Sequence, residues 1–515
     1  MERANKAIVT LSLGQLEGTC QEGVFTFKGV PFARPPVGEW RWLPPQPVEP
    51  WQGVLQARQF GTTAPQNPML LGSDLMGEPE PQSEDCLYLN IWSPGLDNKR
   101  RPVMVWIHGG AFSIGSGSSP MFEGSVLARR NDVVVVTVNY RLNLLGFLNL
   151  KEATDGKIPA TGNEGLLDQV AALRWVQEHI AAFGGNPGNV TIMGESAGSM
   201  SIACLLTIPA AKGLYHKAIL ESGVGTTTMP LEKAAKVGRL LLEVTGISSD
   251  DIEALYALTV EQLLTAEIEL RKRMALPWEP LRITVTAPVM DGEVMAQMPT
   301  QAIAMGVAKD IPMIVGSNLE EWKLFIIGEP NKEKIDRAQI VERLGYVIPP
   351  KHVEEIVERY YQARSQRGDD TSPLEMLSAI NTDVMFRIPA LQMIEAQQKH
   401  NPAVFNYLFT YKSPVFGGIL GACHALEMGF VFATHDDLFC GTGPEADKMS
   451  EIIQDAWTSF ARTDNPSCGA LGDWAVYGDG RMTMILDTQC RLESALYEEE
   501  RQAWDGVGNL SDILL

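Results

Sequence analysis

Gly194-Glu-Ser-Ala-Gly198 holds a serine between two glycines. Asn189 to Met193 before it alternates β-branched and apolar residues, which suits a short strand. Ala197 to Leu206 after it is small and apolar, which suits a helix packed close to that strand. A serine on a tight strand-to-helix turn lifts its hydroxyl above a sheet edge, within reach of a base and a substrate. The pentapeptide by itself is a weak signal, and the flanking strand and helix make it a candidate nucleophile elbow with Ser196 at its tip. Attack of a serine on a carbonyl creates an alkoxide, which backbone N–H groups of small residues can surround. His108-Gly-Gly-Ala-Phe112 is such a turn and follows the apolar run Pro102 to Ile107. Gly110 and Ala111 are two candidate donors, and Ala197, just past the serine, is a third.

A serine nucleophile also needs a base and an acid that orients the base. The seven histidines are 108, 179, 216, 352, 400, 424 and 435. His179, His352 and His400 lie in helix-like surroundings, His216 directly precedes a strand, and His108 precedes the serine. The chain order Ser…Asp/Glu…His then leaves His424 and His435. His424 sits in Gly421-Ala-Cys-His-Ala-Leu-Glu427, a small-residue loop suited to reaching across to an elbow. The acid belongs at a strand end between Ser196 and the histidine. There Gly316-Ser-Asn-Leu-Glu-Glu-Trp322 offers Glu320 or Glu321.

These groups need a scaffold, and the hydrophobic pattern describes one. Pro102 to Ile107 and Asp132 to Val138 are continuous apolar runs, as strands buried on both faces should be. From Asn163 to Phe183, apolar residues at 166, 170, 173, 176, 180 and 183 keep helical spacing up to Gly184, Gly185 and Pro187. Strand, helix, strand and elbow in succession predict an α/β fold with a mostly parallel central sheet flanked by helices. Lys217 to Glu221, Pro312 to Gly316 and Ala403 to Phe409 read as later strands of the same sheet. Ala7 to Leu11 and Val24 to Phe27 read as an N-terminal antiparallel edge. The prolines of Phe27 to Gly38 argue against regular structure there, and Pro65 to Ser83 reads as a second irregular stretch. Glu84 to Trp92 reads as a strand. Charged segments at about 231–275 and 330–400 read as helical excursions within a single domain over 1–515, because no linker composition separates them.

Composition narrows the function classes. A formal charge of -21 over 515 residues argues against nucleic acid and against anionic membrane surfaces. Seven scattered cysteines without a CxxC fit reduced thiols better than a disulfide framework. No apolar run approaches a membrane span, and Met-Glu-Arg-Ala-Asn-Lys lacks the apolar centre of an export signal. The expectation is a cytoplasmic protein.

The same motifs carry a resemblance. The chain resembles the type-B carboxylesterase family, α/β hydrolases that include bacterial para-nitrobenzyl esterase-like enzymes and the cholinesterases. The resemblance rests on Phe27-Lys-Gly-Val-Pro-Phe-Ala, Glu84-Asp-Cys-Leu-Tyr-Leu-Asn, the His108 turn and Phe183-Gly-Gly-Asn-Pro. It also rests on the Ser196 elbow, Pro288-Val-Met-Asp-Gly292, Gly316-Ser-Asn and His424-Ala-Leu-Glu. It implies an α/β-hydrolase fold, with Ser196 as nucleophile, Glu321 as acid, His424 as base, and Gly110, Ala111 and Ala197 as the oxyanion hole. Ser222, in Glu221-Ser-Gly-Val, matches a serine that supports the triad from behind.

Three departures qualify the match. Trp322 stands where the family has glycine after the acid, which leaves Glu320 as the alternative if the register shifts. Thr63-Ala-Pro-Gln stands where eukaryotic relatives have a cysteine, so Cys86 lacks that partner, and the loop before Cys86 lacks the choline-site tryptophan. The missing cysteine and the missing tryptophan point to a bacterial-type intracellular enzyme. The expected activity is hydrolysis of short- to medium-chain carboxylic esters through an acyl-enzyme, with no cofactor and no metal. A small-molecule ester is the expected partner, and oligomeric state is not legible. An interfacial lipase is the alternative within enzymes, and a non-catalytic adhesion or binding homologue the alternative outside them.

Overall fold

The computed structural model describes residues 5–68, 80–225, 227–279, 282–329 and 331–510. Much of the irregular stretch expected between Pro65 and Ser83, including most of the tryptophan-free loop, lies outside the described residues. The chain packs into two compact units. The first comprises Met1–Ala218 and Thr228–Gln297, the second Ile219–Thr227 and Met298–Leu515.

The first unit contains β1 (Asn5–Leu11), β2 (Gly14–Gln21), β3 (Val24–Pro31), β4 (Val54–Gln56), β5 (Tyr88–Ser93), β6 (Arg101–Ile107), β7 (Val134–Val138) and β8 (Gly185–Glu195). The antiparallel edge runs β1-β2-β3-β5-β7, with β4 beside β2. Next to it β6 pairs in parallel with both β7 and β8. Val103 to Ile107 and Val134 to Val136 are fully buried, as uninterrupted apolar strands under helices must be. The division between units falls inside β9 (Lys217–Glu221), and β10 (Met229–Pro230) and β11 (Val289–Met290) form a small parallel pair in the first unit. In the second unit β12 (Met313–Asn318), β13 (Val404–Phe409) and β14 (Met482–Leu486) are parallel, and β15 (Arg491–Ser494) turns back antiparallel.

Several elements differ in extent from the sequence expectation. β3 continues through Pro31, because a register shift between Phe27 and Val30 lets the strand accommodate Gly29, and Pro31 falls at the strand's last position. The strand expected from Glu84 begins only at Tyr88. Glu84 instead accepts two N–H bonds from the Arg41 guanidinium, each 2.6 Å. The helix expected to Phe183 is α-helical over Glu164–His179 and tightens to a 3-10 turn over Ile180–Phe183. The 231–275 excursion is three helices, Leu231–Thr245, Ile252–Ala257 and Val260–Arg273, in the first unit. The 330–400 excursion is helical in the second unit, with Arg337–Gly345, Pro350–Arg367, Pro373–Thr382 and Ile388–Gln397.

No described helix is long and apolar enough to cross a membrane. All seven cysteines are free thiols, Cys86 among them and buried. Reductant is therefore expected to leave the melting temperature and the activity unchanged. A fall of several degrees on adding dithiothreitol would expose a structural disulfide, since losing one typically costs about 2–5 kcal/mol.

Candidate active site

Ser196 is the hinge between β8 and the helix Ala197–Leu205, with φ 54° and ψ -123°. A side-chain-bearing residue rarely adopts that conformation, and it persists only where surrounding packing enforces it. The packing here is backbone against backbone. A Cβ on Gly198 would lie 1.9 Å from the Ile107 carbonyl oxygen, and one on Gly194 2.6 Å from the same atom. Only glycines let β8, its following helix and the end of β6 approach this closely. Ser196 is also the one residue between Val190 and Met200 that is not buried.

The turn after β6 has Gly110 at φ 107°, Ala111 at 53° and Phe112 at 59°. Its first residue, His108, is a brace. Its ring stacks on Tyr140 at 4.3 Å, its Nδ1 lies 2.8 Å from the Gly109 carbonyl oxygen, and the Tyr140 hydroxyl donates to the His108 carbonyl at 2.7 Å. Burial pushes the His108 pKa down to about 4, so the ring is neutral and packs as an aromatic. Among the described residues, the backbone N–H groups of Gly110, Ala111 and Ala197 have no hydrogen-bond acceptor. Unsatisfied donors on a strained, braced turn are what an oxyanion requires.

In the second unit, His424 Nδ1 lies 2.7 Å from Glu321 Oε2, and Glu321 is fully buried. The other carboxylate oxygen, Oε1, accepts the Asn318 backbone N–H at 2.7 Å, and the His424 backbone N–H donates to the Glu321 carbonyl at 3.2 Å. Glu320 points elsewhere. It accepts the Ala422 N–H at 2.9 Å and pairs with Lys323 at 2.8 Å. Lys323 and the Ala422 N–H together hold the Glu320 pKa below the usual carboxylate value despite its burial. Trp322 fits where the family has glycine because its φ of -70° needs no glycine, and its N–H donates to the Thr382 hydroxyl at 3.1 Å. His435 is engaged with Asp447 at 2.9 Å, His216 accepts the Val190 N–H at 3.1 Å, and His400 bonds the Ala304 carbonyl at 2.8 Å.

Behind this pair lies a second carboxylate whose part in the site the sequence reading did not anticipate. Glu427 Oε1 accepts the Ser222 hydroxyl at 3.1 Å, and Oε2 accepts the Asn318 side-chain amide, which also donates to the Cys423 carbonyl at 2.7 Å. Asn318 thus bridges two buried carboxylates. Burial first, and the charge of Glu321 second, push the Glu427 pKa up to about 7. The available signal was spacing, since Glu427 follows His424 by only three residues, in a turn where Ala425 has φ 68°. Phe325 and Phe386 flank the His424 ring at centroid distances of 5.2 and 4.8 Å, and Trp322 packs on Phe325 at 4.9 Å. Neither phenylalanine belonged to a motif.

The carboxylesterase family model matches residues 5–504. The chain belongs to the carboxylesterase family. It is 40% identical to the para-nitrobenzyl esterase of Bacillus subtilis (strain 168) over 501 residues, 96% of this chain and 98% of that one. It is 34% identical to a phenmedipham hydrolase of Pseudarthrobacter oxydans, over 92% of this chain and 93% of that one. A solved thermophilic PNB esterase superposes with a TM-score of 0.86 at 38% identity, covering 97% of this chain and all of the other. A carboxylesterase of Geobacillus stearothermophilus superposes with a TM-score of 0.84, also at 38% identity and 97% of this chain. This carboxylesterase therefore has the α/β-hydrolase fold and hydrolyses carboxylic esters, with the serine mechanism that the family implies.

Proposed function

We propose that Ser196 is the nucleophile, His424 the base and Glu321 the acid in hydrolysis of neutral short- to medium-chain carboxylic esters. The observation that carries this reading is the buried Glu321–His424 pair at 2.7 Å, with the second carboxylate oxygen occupied by the Asn318 N–H. A carboxylate on Nδ1 keeps the proton there, so Nε2 is free to accept one from the serine hydroxyl. Ser196 Oγ then attacks the ester carbonyl carbon, and the Gly110, Ala111 and Ala197 N–H groups hold the resulting oxyanion. The tetrahedral intermediate expels the alcohol, which takes its proton from His424 and leaves an acyl-serine. Water, deprotonated by His424, attacks that acyl group and releases the acid. Ser222 and Glu427 support Asn318, and through it the orientation of Glu321.

The substrate class follows from what lines the base. Phe325 and Phe386 beside the base are apolar, with Trp322 packed on Phe325, and the small residues of the Gly109-Gly-Ala111 turn leave space beside the carbonyl carbon for a bulky alcohol. In a p-nitrophenyl ester series from acetate to palmitate, kcat/KM is expected to be highest at short to medium chains and to fall for long ones. A choline ester is expected to show less than a tenfold advantage over its uncharged isostere, a limit of about 1.4 kcal/mol in transition-state binding.

An interfacial lipase is the second reading, favoured by one observation. Phe416, Ile419 and Leu438 are all more than half exposed. Two of them precede the His424 loop, and the segments are tied by the Ser413 hydroxyl on the Phe439 carbonyl at 2.6 Å. Faster turnover of long-chain triglyceride emulsions than of dissolved short esters would select that reading. We further read residues 1–515 as one hydrolase domain acting in a bacterial cytoplasm, consistent with seven free thiols. One calorimetric unfolding transition is the corresponding expectation, and two resolved transitions would refute the single domain.

A further inference from the structure

Between Pro373 and Gln397 the second unit holds one helical run with a wide turn inside it. Helices Pro373–Thr382 and Ile388–Gln397 flank a π-helical turn, Asp383–Arg387, in which the Ile388 N–H donates to the Asp383 carbonyl five residues back. The cause is Pro389. Proline has no N–H to donate, and in a regular α-helix its ring would strike the carbonyl four residues back, that of Met385. Widening one turn to i→i+5 bonding removes the clash and keeps the helix going.

A proline explains why the turn is wide, yet not which way its side chains face. A buried polar cluster decides that. The Tyr360 hydroxyl donates to Asp383 Oδ2, Arg387 Nε donates to Asp383 Oδ1 at 2.7 Å, and the Trp504 indole N–H donates to the Tyr360 oxygen at 2.7 Å. All four side chains are buried. Tyr497, just before the terminal helix Glu498–Gln502, lies under both Arg387 and Arg367, at 5.7 and 4.8 Å. Arg367 in turn grips Glu500 on that helix. Breaking such a buried set at one member leaves a charge or donor unpaired, so the cluster has one preferred arrangement. Asp383 and Arg387 bracket the turn, and between them Phe386 sits 4.8 Å from the His424 ring and stacks on Phe325 at 6.4 Å.

We propose that Tyr360, Asp383 and Arg387, latched by Trp504, are positioning residues that hold Phe386 as a wall beside the base and thereby set how bulky an ester group is accepted. This rests on His424 being the base. The selectivity of the enzyme is then governed partly from the turn after the C-terminal helix, by side chains that touch no substrate.

The test is a double-mutant cycle on selectivity, reading the ratio of kcat/KM for p-nitrophenyl benzoate to that for p-nitrophenyl acetate. Tyr360→Phe removes one hydroxyl from the cluster and keeps the ring, and Trp504→Phe removes the indole N–H together with one ring of a buried side chain. Each is expected to shift the ratio by about tenfold, the low end for one altered apolar contact. In a Phe386→Ala background the same substitutions are expected to shift it by less than about twofold, because the wall they position is gone. Phe325→Ala is the control, in which the Tyr360→Phe shift persists. Ratios are independent of the amount of folded enzyme, so lost stability alone does not move them. An unchanged ratio in both Tyr360→Phe and Trp504→Phe overturns the proposal, as does a shift that survives undiminished without Phe386. His424→Ala separates the two readings. If it retains activity, the assignment of the base falls and takes this inference with it. If it is inactive while the cycle shows no coupling, only the positioning role falls.

Discussion

Ser196→Ala is expected to abolish ester hydrolysis, lowering kcat by about 10⁶ if the serine behaves as serine-protease nucleophiles do. The native enzyme, treated with a fluorophosphonate, should carry its adduct on the peptide that contains Gly194–Gly198. The argument is conformational as much as chemical. Ser199 and Ser201 lie on the same turn and helix but are fully buried, whereas Ser196 is held at φ 54° on an elbow whose glycines allow no other packing. A hydroxyl held out of a buried segment at a cost in backbone strain needs a reason, and covalent catalysis supplies one. An adduct on any other serine, with Ser196 unmodified, would remove it from the mechanism.

Glu321→Gln should cost about 10³ to 10⁴ in kcat, and Glu320→Gln far less. The asymmetry comes from hydrogen-bond bookkeeping. Glu321 Oε1 must accept from the Asn318 N–H, so the amide oxygen of the substituted side chain turns that way. Its NH₂ then faces His424 Nδ1, which can accept only if the ring proton moves to Nε2. The base is left in the wrong tautomer, with its geometry intact. Glu320 contacts the Ala422 N–H and Lys323 and not His424, so losing its charge loosens an ion pair of the loop without changing the tautomer of the base. Steady-state kinetics on both variants decide the point. A larger loss in Glu320→Gln would move the acid by one residue.

What the chain made legible was whatever depends on near neighbours. The elbow is one such case, because the φ of Ser196 and the small residues around it are demands that five consecutive positions meet together. The oxyanion turn is another, and the buried parallel strands follow from runs such as Val103 to Ile107 and Val134 to Val138, which no half-exposed strand would carry. The ordered set of motifs, spread over nearly the whole length, was enough to place the family.

Other features were decided only by groups distant in sequence. The choice between Glu320 and Glu321 is one, since two adjacent glutamates are chemically equal until one finds His424 and the other Lys323 and the Ala422 N–H. Which side each faces depends on a turn that Thr382, sixty residues on, helps to hold through the Trp322 N–H. Glu427 was visible three residues past His424, but its raised pKa needs Asn318, Ser222 and Glu321 to be packed around it with water excluded. Phe386 gave no signal at all. Its place beside His424 depends on a proline that widens one helical turn and on Tyr360 and Trp504, which grip that turn. Backbone geometry acts over a few residues and can be read along the chain. Burial, which raises a carboxyl pKa or turns an aromatic ring into a wall, is created only when remote segments close around a side chain.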